Sequence, residues 1–177
     1  SFAEVSSGTH QLISTATVSS AVSSIDLTGM DSTYQNYMVE IDNLVNASDN
    51  VNFELRFIQG GSTITDSNYW SQVCRQGISE GVINTEESAN ASAANIAHGV
   101  ANNNNPQLNG RMFIYNAPTT DASTSFCADI SLRHRDNHDH QKHDSHGELR
   151  NTAASTGITF KMSSGNITAG RFRLYGI

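Results

Sequence analysis

Residues 159–177 read TFKMSSGNITAGRFRLYGI, and this stretch decides the fold of the chain. Phe160 and Met162 alternate with polar neighbours, and Phe172 opens a second alternating run. Between the two runs, Gly165 and Asn166 tolerate the positive φ that tight turns require. A period of two places one face of a strand against a core and the other against solvent. The stretch therefore predicts a strand, a turn and a strand, with the closing residues inside the core.

The same alternation recurs along the chain. It is clearest at residues 37–44 and 51–58, which are predicted to be antiparallel neighbours across the polar segment 46–50. Further strands are predicted at residues 11–17, 19–27, 108–115, 125–134 and 148–153. Eight to ten strands with polar connections predict an all-β fold, a jelly-roll-like antiparallel β-sandwich, with a closed barrel as the alternative.

One segment departs from the strand pattern. Residues 86–97 are rich in alanine and place Glu87, Ala91 and Ala94 on one helical face, which predicts a short helix. A surface loop is the alternative, because serines and asparagines interrupt the segment. Residues 102–106 are predicted to form a loop.

Composition limits the class of protein. A length of 177 residues suits one domain, predicted to span residues 1–177. The net charge of -7 argues against nucleic acid as a partner, since phosphate binding needs clustered Lys and Arg. No apolar run approaches the roughly 20 residues of a membrane span, so membrane insertion is not expected. Because the sequence begins at Ser1, we expect a processed start or an excerpt of a longer fibre protein.

The closing stretch resembles the end of a β-sandwich domain found in virion structural proteins of tailed bacteriophages. The matching residues are Ser163, Ser164, Gly165, Asn166, Ile167, Gly170, Phe172, Leu174, Tyr175, Gly176 and Ile177. Two further segments match more loosely. They are residues 114–118, an Ile-Tyr-Asn strand end, and residues 34–44, a tyrosine-led strand.

The resemblance implies a virion structural protein of the tail fibre or capsid decoration type, without enzymatic activity. Such a domain acts in particle assembly or host-surface attachment. Free sheet edges make a homotrimer the natural expectation. Its expected partners are copies of itself, other virion proteins and a host surface glycan. Recognition is predicted to lie in two long polar segments, residues 60–106 and 134–147.

Tyr69 and Trp70 suggest an alternative function. Two adjacent aromatic rings are a familiar platform for a sugar, which would indicate a carbohydrate-binding module of a secreted bacterial protein. The other interpretation is that Trp70 packs in the core or at a subunit contact.

A histidine-rich segment is the candidate metal site. Imidazole and carboxylate side chains together bind divalent transition metals such as zinc, nickel or iron. The candidate ligands are His134, His138, His140, His143 and His146. In a trimer, one histidine per copy would supply three ligands at the axis. A response to pH and a solvated hairpin tip are the alternatives.

No arrangement of residues indicates catalysis. The sequence holds no nucleophile elbow and no HExxH motif. The carboxylates of Glu40, Asp42, Glu54 and Asp66 are predicted to be solvent-facing positions of strands. Cys74 and Cys127 are predicted to be small buried residues, with a disulfide as the alternative.

Overall fold

The computed structural model describes residues 10–77, 83–102, 108–134 and 140–177. These ranges contain thirteen strands, all paired antiparallel, and no helix, which confirms the all-β prediction. The strand number exceeds the predicted eight to ten. The strands are β1 Gln11–Val18, β2 Ser24–Thr28, β3 Asn36–Asn46, β4 Val51–Gln59, β5 Ser62–Thr63, β6 Tyr69–Gly77, β7 Ile83–Ala91, β8 Ala94–Val100, β9 Leu108–Tyr115, β10 Thr124–Arg133, β11 His140–Leu149, β12 Ser155–Met162 and β13 Ile167–Gly176.

The strands form two sheets that pack as a sandwich rather than close as a barrel. The larger sheet has eight strands in the order β1-β13-β3-β9-β10-β11-β6-β7. The smaller has the order β2-β12-β4-β5, with β8 also paired to β4. The first strand pairs with the last, the second with the twelfth, and β3 and β4 lie in opposite sheets. This nested order is that of a jelly roll, which β10, β11, β6 and β7 extend on one side.

The predicted strand, turn and strand at residues 159–177 are confirmed as the end of β12, a turn, and β13. Gly165 has a φ of 75°, so the turn uses the conformation for which glycine is suited. A Cβ at Gly165 would also collide with the side chain of Ser48. β13 lies between β1 and β3, so the closing residues are part of the sandwich interior.

Three aromatic rings join the two sheets at the centre of the core. Phe53 of β4 and Phe160 of β12 stack with ring centroids 5.5 Å apart. Phe172 of β13 lies 5.4 Å from Phe160, across the interface between the sheets. All three are fully buried, because each occupies an inward position of its strand. The period-two prediction for these strands is therefore confirmed.

The predicted short helix at residues 86–97 is wrong. The segment belongs to β7 and β8, which meet at a bend around Ser92. Within the described ranges β7 pairs only with β6, and both of its faces remain partly exposed. An edge strand of this kind needs no apolar face, so its sequence lacks the alternation that marks the central strands. Of the predicted loop at 102–106, only residue 102 lies in the described part.

Three other predictions need correction. Residues 37–44 and 51–58, expected to be antiparallel neighbours, belong to β3 and β4, which lie in opposite sheets. The strand expected at residues 148–153 is only the end of β11, after which the chain bends. The segments 60–106 and 134–147, expected to be long presenting loops, are largely strands, namely β6 to β8 and β11. Among the described residues, the structure contains no helix that is long and apolar enough to cross a membrane.

Candidate functional site

A groove of about 540 Å³ crosses the outer face of the eight-stranded sheet. We call it the sheet-face groove. It lies on the extension of the jelly roll, where β6, β7, β9, β10 and β11 run side by side. The outward-facing aromatic and polar side chains that line it are Trp70, Gln72, Glu87, Tyr115, Ser125, His146 and Glu148.

Strand register brings these residues together from distant parts of the sequence. Glu148 of β11 lies opposite Trp70 of β6, and His146 lies opposite Gln72. On the far side, Ser125 of β10 pairs with both Glu148 and Tyr115. Residues at spacing two share a face of a strand, so these side chains form two neighbouring rows on the outer face.

Trp70 is held in a fixed position at the groove. Its side chain is 40% exposed. The indole Nε1 donates a hydrogen bond to Asn90 Oδ1 at 3.2 Å. The guanidinium carbon of Arg150 lies 4.6 Å from the ring centroid, a cation–π contact. Arg150 is itself anchored to Glu148 by an ion pair of 3.3 Å. The ring is therefore ordered before any ligand arrives.

Tyr69 does not share this surface, so the predicted pair of Tyr69 and Trp70 does not form a platform. Adjacent residues of a strand point to opposite faces, and Tyr69 is fully buried in the core. Burial raises the pKa of Tyr69 to about 12. The second aromatic ring of the groove is Tyr115, which is 37% exposed. The sequence placed Tyr115 next to Ile114 in a predicted strand. If Ile114 is buried, this alternation indicates that Tyr115 points outward.

The groove also continues toward two half-buried cysteines on the same outer face. Cys127 lies opposite His146, and its sulfur is 3.4 Å from the Tyr115 hydroxyl. This hydrogen bond raises the pKa of Tyr115, and burial adds to the effect. Cys74 lies opposite Asp144, on the other side of β11 from Cys127. Both cysteines are free, but neither is the core residue that the sequence predicted.

Acidic side chains elsewhere on the two sheets are paired with cations. Arg173 Nη2 lies 2.7 Å from Asp42 and 3.1 Å from Glu40. Lys161 Nζ lies 2.6 Å from Glu54 on the smaller sheet. These three carboxylates therefore already have cationic partners.

The four predicted metal ligands that lie in the described ranges do not converge. His140 and His146 lie on the outer face of β11, whereas His134 and His143 are fully buried. His138 lies outside the described residues. The alternation along β11 separates its histidines, because His143 is three residues from each of the other two. Among the residues that the structure describes, no group of three or more His, Cys, Asp or Glu side chains is placed to hold a metal ion.

Buried His134 and His143 instead form a cluster with His98, a residue that the sequence reasoning missed. The ring centroids are 6.5 Å apart for His98 and His134 and 6.4 Å apart for His134 and His143. His143 Nδ1 accepts a hydrogen bond from the backbone N–H of His98 at 3.3 Å. Its Nε2 then donates to Gln141 Oε1 at 3.1 Å. Arg75 Nη1 lies 3.3 Å from His134 Nε2.

The environment keeps the His143 imidazole neutral. The pKa of His143 is lowered to about 3, chiefly by burial and in addition by the nearby His134, Arg75 and His98. A guanidinium at this distance also disfavours a metal cation among the three rings. The cluster is thus a buried hydrogen-bonded element between β8 and the larger sheet.

No protein-family model matches the chain, and no curated protein is significantly similar to it.

Proposed function

We propose that the chain is a structural protein of a tailed-bacteriophage virion, a tail fibre or capsid decoration module that attaches the particle to a bacterial surface. The observation that carries the attachment role is the sheet-face groove, an ordered surface of aromatic and polar side chains on a rigid sandwich. Sites on strands hold their side chains more firmly than sites on loops. The domain would therefore act by presenting a fixed surface, with the virion as its location.

The resemblance to virion proteins supports the place in a particle. The matching residues of the closing stretch fall on the turn after β12 and on β13. Phe172 and Leu174 of this segment are fully buried, and β13 bridges β1 and β3. The shared motif is therefore a structural centre of the sandwich, so the resemblance concerns the architecture of the whole domain.

The sheet edges support a homotrimer. β1 forms one edge of the larger sheet, contains no charged residue or proline, and exposes 48% of Leu12. β7 forms the opposite edge and exposes 67% of Ile83. β1 is an edge without protective charges, which favours pairing with another chain, whereas β7 carries Glu86 and Glu87. In a head-to-tail assembly, β1 of one copy would pair with β7 of the next copy. Such an assembly can close into a ring, and a trimer is a ring of this kind.

Contacts on the outer face favour a role without catalysis. Ser131 Oγ lies 2.6 Å from His140 Nε2. Both residues line the exposed outer face, and no described carboxylate orients the His140 ring as in a hydrolase triad. Glu40, Asp42 and Glu54 are each held by an arginine or lysine.

Particles of a phage that encodes the chain provide the test. Antibodies against the purified protein should label the virion in immunogold electron microscopy, at the tail fibres or over the capsid. Fab fragments of the same antibodies should slow adsorption to the host. Mass photometry of the purified protein should give the mass of three copies. Particles that lack the protein by mass spectrometry would refute the proposal.

A carbohydrate-binding module of a secreted bacterial protein is the second candidate, because exposed Trp70 and Tyr115 line one groove. This candidate predicts a monomer in mass photometry and no labelling of particles. The oligomeric state and the labelling together separate the two functions.

A further inference from the structure

We propose that the sheet-face groove binds a pyranose ring of a neutral bacterial surface polysaccharide, stacked on Trp70, and that it discriminates against acidic sugars. This inference rests on the proposed attachment function and names its ligand. Three features of the groove support it: the fixed indole, the polar groups around the indole and the charge of the groove.

Trp70 supplies the stacking surface. Flat aromatic rings pack against the apolar C–H face of a pyranose, and a ring already fixed loses little entropy on binding. The hydrogen bond to Asn90 and the contact with Arg150 fix the indole. Because Arg150 covers one face of the ring, the sugar is expected on the opposite face. Tyr115 forms the second aromatic border of the same groove.

The polar groups of the groove suit hydroxyl groups rather than a single ion. Gln72 Nε2 donates to Glu87 Oε1 at 2.8 Å, which leaves the second Glu87 oxygen as an acceptor. The Gln72 carbonyl oxygen accepts from Cys74 Sγ at 4.0 Å and keeps a second lone pair for a ligand. His146 and Ser125 make no side-chain hydrogen bond with any described residue and add a ring nitrogen and a hydroxyl. Donors and acceptors from four strands thus surround the stacking surface. The groove volume of about 540 Å³ lies within the range of small-ligand sites.

The charge of the groove selects neutral sugars. Glu148 is balanced by Arg150, but Glu87 has only the uncharged amide of Gln72 as its hydrogen-bonded neighbour. At neutral pH the groove therefore keeps a net negative charge, on a chain whose formal charge is -7. A uronate or a sulfated sugar in the groove would meet an uncompensated carboxylate. Hexose and N-acetylhexosamine units avoid this repulsion.

The test measures binding of the purified chain to two sets of immobilised oligosaccharides. One set contains neutral glucose, galactose, mannose and N-acetylglucosamine units, and the other contains glucuronic or galacturonic acid. At least one neutral oligosaccharide is expected to bind more than tenfold more tightly than any acidic one. Trp70→Ala should weaken that binding by about 5- to 150-fold, by analogy with the loss of one stacked nucleic-acid base. Trp70→Phe should retain part of it.

Two variants complete the design. Tyr175→Ala removes an aromatic side chain from the same sheet face outside the groove, and its binding should equal that of the unchanged protein. Glu87→Gln should raise the affinity for acidic oligosaccharides. Unchanged binding by Trp70→Ala, tightest binding of an acidic oligosaccharide, or no binding to any neutral one would overturn the inference. A Trp70→Ala chain that binds normally but loses its oligomeric state would assign Trp70 to a subunit contact instead.

Whole-cell binding separates this inference from the proposed function. Labelled protein that adheres to host cells equally well with Trp70 or Ala at this position would retain the attachment function and refute the sugar site. Tryptophan-dependent sugar binding by a protein missing from particles would refute the virion role and retain the groove as a saccharide site.

Discussion

The hydroxyl of Tyr69 on β6 accepts a hydrogen bond of 2.8 Å from the backbone N–H of Phe57 on β4, so a side chain of one sheet binds the backbone of the other. The same hydroxyl donates to the carbonyl of Ile64 at 3.1 Å. The rings of Tyr69 and Phe57 stack with centroids 6.4 Å apart. Trp70 is the next residue along β6 and points outward. Trp70 in the groove and Tyr69 in the core are thus adjacent residues, joined by a single peptide bond.

Tyr69→Phe should lower the free energy of unfolding by about 1–3 kcal/mol. The change leaves the Phe57 N–H and the Ile64 carbonyl without their buried partner. Urea denaturation followed by fluorescence measures the loss. Tyr175→Phe is the matched control, because its hydroxyl binds Glu40 at the surface and should contribute far less. Equal losses in the two variants would contradict the role given to Tyr69.

Gly147→Ala should destabilise the protein by about 1–3 kcal/mol through overpacking. A Cβ at this position would collide with the carbonyl oxygen of Trp70 and lie 2.8 Å from the Phe126 ring. β11 and β6 would have to separate, which should also change the fluorescence of Trp70. Gly60→Ala is a control with no neighbour in reach, although its φ of 56° carries a cost of its own. An unchanged Trp70 spectrum in Gly147→Ala would count against this contact.

Phe172→Ala should cost about 3–5 kcal/mol, because it empties the place where the ring meets Phe160 and Phe53. Phe172→Leu, which keeps much of the volume, should cost clearly less. Thermal unfolding followed by circular dichroism compares the two variants. A core that tolerated alanine as well as leucine would show that β13 is not central to stability.

Stability should decrease as the pH falls below about 6.5 because of His143. Its pKa is about 3 in the folded protein and near 6.5 in an unfolded chain. Between these values the unfolded state binds the additional proton, so acid favours unfolding, and the effect levels off near pH 3. At pH 5 this residue should cost about 2 kcal/mol of stability relative to neutral pH. Urea titrations at several pH values measure the slope.

A histidine comparison identifies the group responsible. His143→Gln removes the titrating imidazole and should flatten the decline between pH 6.5 and 5, even though its stability at pH 7 is lower. His146→Gln changes an exposed histidine of the same strand and should leave the slope unaltered. The assignment to His143 fails if both variants keep the slope of the unchanged protein.

The sequence pattern predicted those strands that have one buried face and one exposed face. Val51, Phe53, Leu55 and Phe57 alternate with polar residues, and each is buried on β4 as expected. β7 escaped prediction because an edge strand buries little on either face, so no period marks it. Its alanines and glutamates then favoured a helix by local propensity, which sheet pairing overrode.

The candidate site was predictable only in part. Trp70 was recognised as a candidate for sugar binding, but its partner in the groove is Tyr115, which lies three strands away in the larger sheet. The order of strands depends on pairings between distant residues that no local pattern encodes. The histidine cluster was missed for the same reason, because His98 of β8 meets His134 and His143 only through packing across the sandwich.

The pairing of β1 with β13 is a long-range contact of the kind that slows folding. Leu12 lies opposite Tyr175, so the two strands come from opposite ends of the sequence, and β3 must wait for β9 and β13 before it has neighbours. Sheets built from such distant partners close slowly, typically over milliseconds to seconds, since a long loop must be ordered first. A newly made chain therefore spends this interval with strand edges uncovered. Faster formation of the β1–β13 pair would leave fewer copies open to aggregation through these edges.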